Sequence, residues 1–439
     1  MRIMLIRTGL VVVSIILASL ICYNCSAVEE LSYSDIVYVG GSGPGNYSSI
    51  QEAINDVSVG GTVFVYNGTY YEHHITIDKK INLIGEDKSF TVINAVGKYK
   101  GIEIHHDDVV VKGFTIRNTS YVFDWWYNSC LEIMGSKNVV VEDNIFLSDY
   151  VDPDKDIYVC GICILDSIDC VLRNNSFQSC SVLIYYLKIG DSRLEYFLHD
   201  IDTSNTVNGK PIYYYKNREN VDVSSDAGQV IFVNTSHSKI SGIENNNTAF
   251  NVQLFYSDDN TIENIRINDS LSGFWIHYSN YNTFKNIIVN RTSCSLFLWH
   301  SNYNFFQNNV LPSTTIEQYC DHNIFIKNHF RSSRSYKFSI QLECSDYNIF
   351  KYNNIFGTSL ILAKIINDVT AVRLFKSYHT TWENNYWGNC LREKYKVLAN
   401  HLPKIIVGFC RGFYGPMPWF SFPSYINIDW HPADEPYLI

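Results

Sequence analysis

Ser257-Asp-Asp-Asn260-Thr-Ile262-Glu-Asn264 returns as Ser279-Asn-Tyr-Asn282-Thr-Phe284-Lys-Asn286 and again as Ser301-Asn-Tyr-Asn304-Phe-Phe306-Gln-Asn308, at the same interval each time. Looser copies follow at Cys320-Asp-His-Asn323-Ile-Phe325 and Ser345-Asp-Tyr-Asn348-Ile-Phe350. Upstream, Ser238 falls one step before Asn260, and Asn138 and Cys170 head similar phrases at looser spacing. A fixed period in this range marks a solenoid. Between the phrases lie short period-two segments, Phe274-Trp-Ile276-His-Tyr278 and Leu296-Phe-Leu298-Trp-His300, which read as strands. A unit of this size buries its apolar side only by stacking on its neighbours, which predicts an all-β fold, a parallel β-helix of about 22 residues per coil.

The columns then acquire roles. Leu254, Ile276, Leu298 and Leu342 should stack inside, with Ile262, Phe284, Phe306, Phe325 and Phe350 as a second interior ladder. About one residue in ten is Asn. Asn tolerates left-handed backbone angles and can bond along a stack, so the excess is expected to serve turns and ladders.

The ends break the pattern. Ser49-Ile-Gln-Glu52 is a capping-box signal for a short helix that would close the open end of the stack. Residues 187–228 interrupt the period, with Asn208-Gly209 as a hairpin signal, and are expected to leave the stack as an excursion. The helical stack is placed at 36–390 and an extended closing segment at 391–439.

Arg2 and Arg7 flank an apolar run from Gly9 to Cys22, followed by Cys25-Ser26-Ala27, so 1–27 reads as a secretory signal peptide. Membrane attachment is expected only if that segment stays uncleaved as an anchor. Beyond residue 27, eight Asn-x-Ser/Thr sequons, at Asn46, Asn67, Asn118, Asn174, Asn234, Asn246, Asn268 and Asn290, agree with a secreted or cell-surface protein. Ten cysteines remain after the signal segment and could pair in an oxidising compartment. A net charge of −10 argues against nucleic acid as the partner.

Tyr38-Val-Gly-Gly-Ser-Gly-Pro-Gly-Asn-Tyr-Ser-Ser-Ile-Gln-Glu-Ala-Ile54, then Gly61-Thr-Val-Phe-Val-Tyr-Asn-Gly-Thr-Tyr-Tyr71 and Ile81-Asn-Leu-Ile-Gly85, resembles the opening of pectin-lyase-like right-handed β-helices. Asn208-Gly-Lys-Pro-Ile-Tyr-Tyr214, Gly228-Gln-Val-Ile231 and the repeated Asn-Thr-Ile phrases resemble the NosD-type group with its carbohydrate-binding and sugar-hydrolysis (CASH) repeat. The resemblance covers nearly the whole chain after residue 36. It implies a right-handed helix. For function it implies polysaccharide-active enzymes, a factor for copper-site maturation, or surface proteins of no known activity.

Among the residues, Asp152, Asp154 and Asp156 have the spacing of calcium ligands in a loop, without the Gly and Glu of a dedicated site. Asp107-Asp108 after His105-His106 offers an acid/base pair without a known separation. His277 and His300 are copper candidates on adjacent coils. No cofactor is required. The strongest binding feature is the outward side of the strands, where alternation places Phe255, Trp275, His277, Phe297 and Trp299 as one aromatic strip. Such a strip would bind a polysaccharide or cell-surface glycan, unless the excursion or the C-terminal tail covers it. A surface protein binding carbohydrate is the reading that follows, with a polysaccharide lyase or hydrolase and a copper-delivery factor as alternatives.

Overall fold

The computed structural model describes residues 35–98, 100–119, 128–149, 159–187, 193–333, 338–356, 372–375, 377, 379–388, 404–411, 421–429, 431, 433 and 436–438. The expected signal segment, the calcium candidates Asp152, Asp154 and Asp156, and much of the closing segment lie outside them.

Short apolar-alternating strands wind into a parallel β-helix of two successive stacks. In the first stack, sheet A runs Ile36–Val39, Thr62–Val65, Asn82–Gly85, Val110–Lys112, Val140–Glu142, Val171–Arg173 and Asp200–Ile201. Sheet B begins at Gly68–Tyr70 and ends at Thr206–Val207. Sheet C runs Ile75–Ile77, Ile102–Ile104, Ser129–Met134, Cys160–Leu165 and Val182–Tyr185. All of these pairings are parallel. The coils lengthen along the stack, from Thr62 opposite Asn82 to Val140 opposite Val171, and so outgrow the strict repeat farther on.

At Asn208-Gly209 a hairpin places Thr206 opposite Pro211 and Val207 opposite Lys210. Its second arm, Lys210–Glu219, begins sheet D of a second stack, followed by Gln229–Ser236, Glu244–Phe255, Arg266–His277 and Ile288–Trp299. Sheet E runs from Asp222–Val223 to Thr381–Glu383. The 22-residue step holds from Lys239 to Phe305, then becomes 19, 25 and 32 as loops change length. The closing segment adds an antiparallel pair, Lys404–Arg411 with Ser421–Asp429, at the end of sheet D.

Both interior ladders form as expected. Leu254, Ile276, Leu298, Ile316 and Leu342 pair in register and are buried. Phe284, Phe306, Phe325, Phe350 and Trp382 stack face to face at 4.3–4.6 Å between ring centroids.

The two Asn of each phrase divide their labour. The first is buried: Asn282 Oδ1 accepts the Asn260 N–H, Asn304 that of Asn282, Asn323 that of Asn304 and Asn348 that of Asn323, each at 2.9 Å. The amide side chain thereby satisfies turn N–H groups that no strand can reach. The second Asn, at 264, 286 and 308, takes the left-handed backbone angle, with φ of 53–56°. A parallel ladder, Asn309 to Asn328, Asn353 and Asn385, ends on the buried carboxylate of Asp429, which also accepts from Trp387 Nε1 at 3.0 Å.

Open strand edges are closed by glutamine side chains. Ser49 caps the helix Ile50–Asp56, accepting the Glu52 N–H as the capping box requires. From that helix, Gln51 Oε1 accepts the Thr76 N–H at 2.7 Å and its Nε2 donates to the Thr76 carbonyl at 3.2 Å, which occupies the free edge of sheet C. The other edge, Val182–Tyr185, meets the outer face of sheet D. There Gln229 accepts the Val182 N–H, Gln253 accepts the Ile184 N–H at 3.1 Å, and both donate to the Val182 carbonyl at 2.6 and 2.7 Å. A primary amide carries both a donor group and an acceptor, so it can replace a missing strand.

Candidate functional site

Two outward columns run along sheet D, fixed by strand register. One is Phe255, His277, Trp299, Glu317 and Glu343; the other is Gln253, Trp275, Phe297, Thr315 and Gln341. The strip is contiguous, as its spacing predicts, but it is not all exposed, and this corrects the expectation. Phe255 is 0% exposed, Trp275 5% and His277 4%. The last coil of the first stack lies over them. Tyr185 meets Trp275 and His277 edge-on at 5.8 and 5.7 Å, and Phe197, from the 3-10 turn Leu194–Phe197, stacks on Phe255 at 4.3 Å. Alternation tells which residues leave a coil's own core, not whether another layer receives them.

His277 shows the consequence. Among the described residues its Nε2 has no hydrogen-bond partner, and burial pushes its pKa down to about 3, with His300 contributing less. His300 stacks between Tyr278 at 4.8 Å and Tyr319 at 5.6 Å, and Trp299 meets both copper candidates, His277 at 6.2 Å and His300 at 5.7 Å. Among the described residues no group of three or more His, Cys, Asp or Glu side chains is placed to hold a metal ion. Cys130, Cys160, Cys163, Cys170, Cys180 and Cys320 are buried thiols.

The strip emerges at Phe297 and Trp299, both half-buried. Phe297 rests on Trp275 at 4.2 Å and 15°, so one ring face is taken; on the next coil its neighbour is Thr315, and that of Trp299 is Glu317. The rings are therefore the last of the aromatic series, followed by hydroxyl, carboxylate and amide groups. Gln341 Nε2 donates to Glu317 Oε1 at 3.0 Å, and Glu343 stands in register with Glu317. Tyr185, from the first stack, stands over the buried part of the strip at Trp275 and His277. Its phenol is pushed up to about 12, first by burial and then by the Glu317 carboxylate.

A second cluster escaped the sequence reading. On the outer face of sheet C, Glu103, Glu132 and Cys163 follow one another in register. Lys100 Nζ lies 2.6 Å from Glu132 Oε1 and 3.8 Å from Glu103 Oε1, and His74 Nδ1 lies 2.7 Å from Glu103 Oε1. Glu132 is 2% exposed, and burial holds its pKa above the usual carboxylate range against the opposing pull of Lys100. The signal was present: Glu103 and Glu132 are charges at outward positions of otherwise apolar strands. Asp107 and Asp108 serve the backbone and side chain of the next turn instead, at Lys137 N and Asn138 Nδ2.

An exposed ring series also went unread. Tyr281, Tyr303, His322, Tyr347 and His379 stack within 9° at 4.9–5.1 Å along the turn. Their faces are used on one another and their edges meet solvent, so the series offers a sugar ring little apolar surface.

No family model matches the chain, and the curated proteins contain no match. Among solved structures, the chain is similar to pectin methylesterase from Yersinia enterocolitica, at 12% identity over 56% of this chain and 90% of that one, with a TM-score of 0.27. It is also similar to the A-module of the Azotobacter vinelandii mannuronan C-5 epimerase AlgE6, at 10% identity over 77% and 82%, with a TM-score of 0.32. A third is the GH136 lacto-N-biosidase from Eubacterium ramulus, at 9% over 80% and 67%, with a TM-score of 0.28. Likenesses this low add nothing to what the strand pairings themselves show.

Proposed function

We propose that the protein binds a glycan at the notch formed by Phe297, Trp299, Thr315, Glu317, Gln341 and Glu343, acting outside the cell. The observation that carries this reading is the half-exposed ring pair at the end of the buried strip, adjoined by a hydrogen-bonded carboxylate and amide. Sugar C–H faces pack on such rings while hydroxyls bond to the polar groups beside them. Trp299→Ala is expected to weaken binding to an oligosaccharide by about tenfold to a hundredfold in calorimetry, the scale of one central aromatic contact. Tyr281→Ala, on the edge-exposed ring series, should leave the affinity within about twofold by the same criterion. Equal losses in both variants would remove the notch from consideration.

A second reading, polysaccharide hydrolysis, is favoured by the Glu103–Glu132 pair. Two carboxyls on adjacent strands, one buried and retaining its proton to higher pH, are the arrangement in which one acts as acid and the other as base or nucleophile. Reducing ends released from a polysaccharide should then fall by about a hundredfold or more in Glu132→Gln. Release that is unchanged in this variant, or absent in the wild type, would exclude it.

A further inference from the structure

We propose that Asn208 clips the two stacks together and is a site of spontaneous deamidation, which opens the clip irreversibly. Asn208-Gly209 forms the turn of the hairpin that carries the chain from Thr206–Val207 of the first stack into Lys210–Glu219 of the second. The pair suits such a turn, since both residues take positive φ, 49° and 80°. That requirement concerns the backbone alone, yet the Asn208 side chain is fully engaged. Its Oδ1 accepts the Ser179 N–H at 2.9 Å, just past the first-stack strand Ser176–Gln178. Its Nδ2 donates to the carbonyls of Asn246 at 3.0 Å and Asn247 at 3.1 Å, both in Glu244–Phe255 of sheet D. One exposed amide therefore uses its oxygen on one stack and both of its hydrogens on the other.

The same dipeptide carries the chemistry. An asparagine amide cyclises when the following backbone nitrogen reaches its Cγ, and glycine hinders that approach least. Gly209 is exposed, its N–H makes no hydrogen bond among the described residues, and a Cβ built on it meets nothing within 4 Å. Attack of Gly209 N on Asn208 Cγ forms the new C–N bond of a succinimide. The Cγ–Nδ2 bond breaks, and Nδ2 leaves as ammonia with the proton that Gly209 N gives up. Water then opens either C–N bond of the ring, leaving aspartate or isoaspartate at position 208, with no change of oxidation state. The carboxylate has no hydrogen to donate, so the Asn246 and Asn247 carbonyls lose their donor and face a negative charge. In the intact clip, cyclisation needs the three bonds broken first. At the usual net strength of such bonds, this slows the reaction about tenfold to a hundredfold relative to the unfolded chain. Asn67-Gly68, the other Asn-Gly pair, is a built-in comparison, because its Gly68 N–H donates to the Phe90 carbonyl at 2.9 Å where sheet B begins.

The test incubates the whole protein in mildly alkaline buffer, with the same protein in urea as reference, and follows both Asn-Gly pairs by peptide mass spectrometry. In urea the two should convert at similar rates. In buffer Asn208 should convert about tenfold to a hundredfold more slowly than in urea, and Asn67 more slowly still. Asn208→Asp, which installs one of the two products, should lower the urea midpoint. Asn208→Gly, which keeps the positive φ of the turn and removes the amide, should lower it too and should quicken hydrogen exchange at the Ser179 N–H by about tenfold or more. Conversion of Asn208 in buffer no faster than that of Asn67 overturns the modification site. Conversion as fast in buffer as in urea, or a midpoint unchanged in Asn208→Asp, overturns the clip. Asn208→Gly decides the second point if Asn208→Asp fails to fold, an unchanged midpoint and unchanged Ser179 exchange being the overturning result.

Discussion

Replacing Gln229 and Gln253 together by leucine is expected to destabilise the protein by several kcal/mol and to uncouple its two stacks. The substitution keeps approximate volume and apolar packing but removes the partners of the Val182 N–H, the Val182 carbonyl and the Ile184 N–H. Val182 and Ile184 are 0% exposed, so no water replaces the amides. Each buried backbone group left without a partner costs about 1–3 kcal/mol. Gln253→Leu alone orphans only the Ile184 N–H, since Gln229 still holds the Val182 carbonyl, and should cost about 1–3 kcal/mol. Urea unfolding followed by circular dichroism measures both. The double variant should lower the midpoint by more than the sum of the singles, because the carbonyl loses its last donor only when both are gone. A double variant within about 0.5 kcal/mol of wild type would show that the seam does not depend on these amides.

The seam also explains what could be read in the sequence. The fold followed from the phrase at 257, 279 and 301, because a strict repeat fixes strand, turn and interior columns together. The Phe284 to Phe350 ladder and the buried Asn column were legible for that reason. The division between the two Asn of each phrase was not, because sequence records that Asn recurs and not which copy bonds and which bends. The aromatic strip was legible as a row and misjudged as a surface. Gln253 sits among Phe255, Trp275 and His277 in a pattern that suits a sugar platform equally well. Only the position of Val182–Tyr185, which belongs to the earlier and differently spaced stack, shows that the glutamine closes an edge. Glu103 and Glu132 were hidden for a related reason: they meet only when two coils of the irregular first stack are laid in register.

Acidification should weaken the same seam, and two buried histidines should be the cause. His277 and His199 are both buried and neutral, with pKa values pushed down to about 3 and about 4, burial being the largest cause for each. Around His277 stand Tyr185, His300 and, through Tyr185, Glu317; around His199 stand Tyr214 and Lys216 from Lys210–Glu219, and Asp169 and Cys170 before sheet A's strand Val171–Arg173. Among the described residues neither has a carboxylate partner and His277 leaves Nε2 unbonded, while a backbone hydrogen bond to Tyr196 offsets part of the effect of burial on His199. An exposed imidazole in the unfolded chain takes up a proton near pH 6.5. The unfolded state therefore binds more protons below that point, so the stabilisation is complete above pH 6.5 and is lost as pH falls toward the folded values. With about 1.36 kcal/mol per pKa unit, each histidine accounts for roughly 2 kcal/mol between pH 7 and pH 5. His277→Phe, which keeps a ring of similar size against Tyr185 and Phe297, should remove about half of the acid sensitivity in urea midpoints taken at the two pH values. It should also gain stability at pH 5 relative to wild type, since no unpaired nitrogen remains at that position. A pH dependence identical to wild type would mean that the imidazole is charged and partnered in the folded protein, and that the seam closes around it by another means.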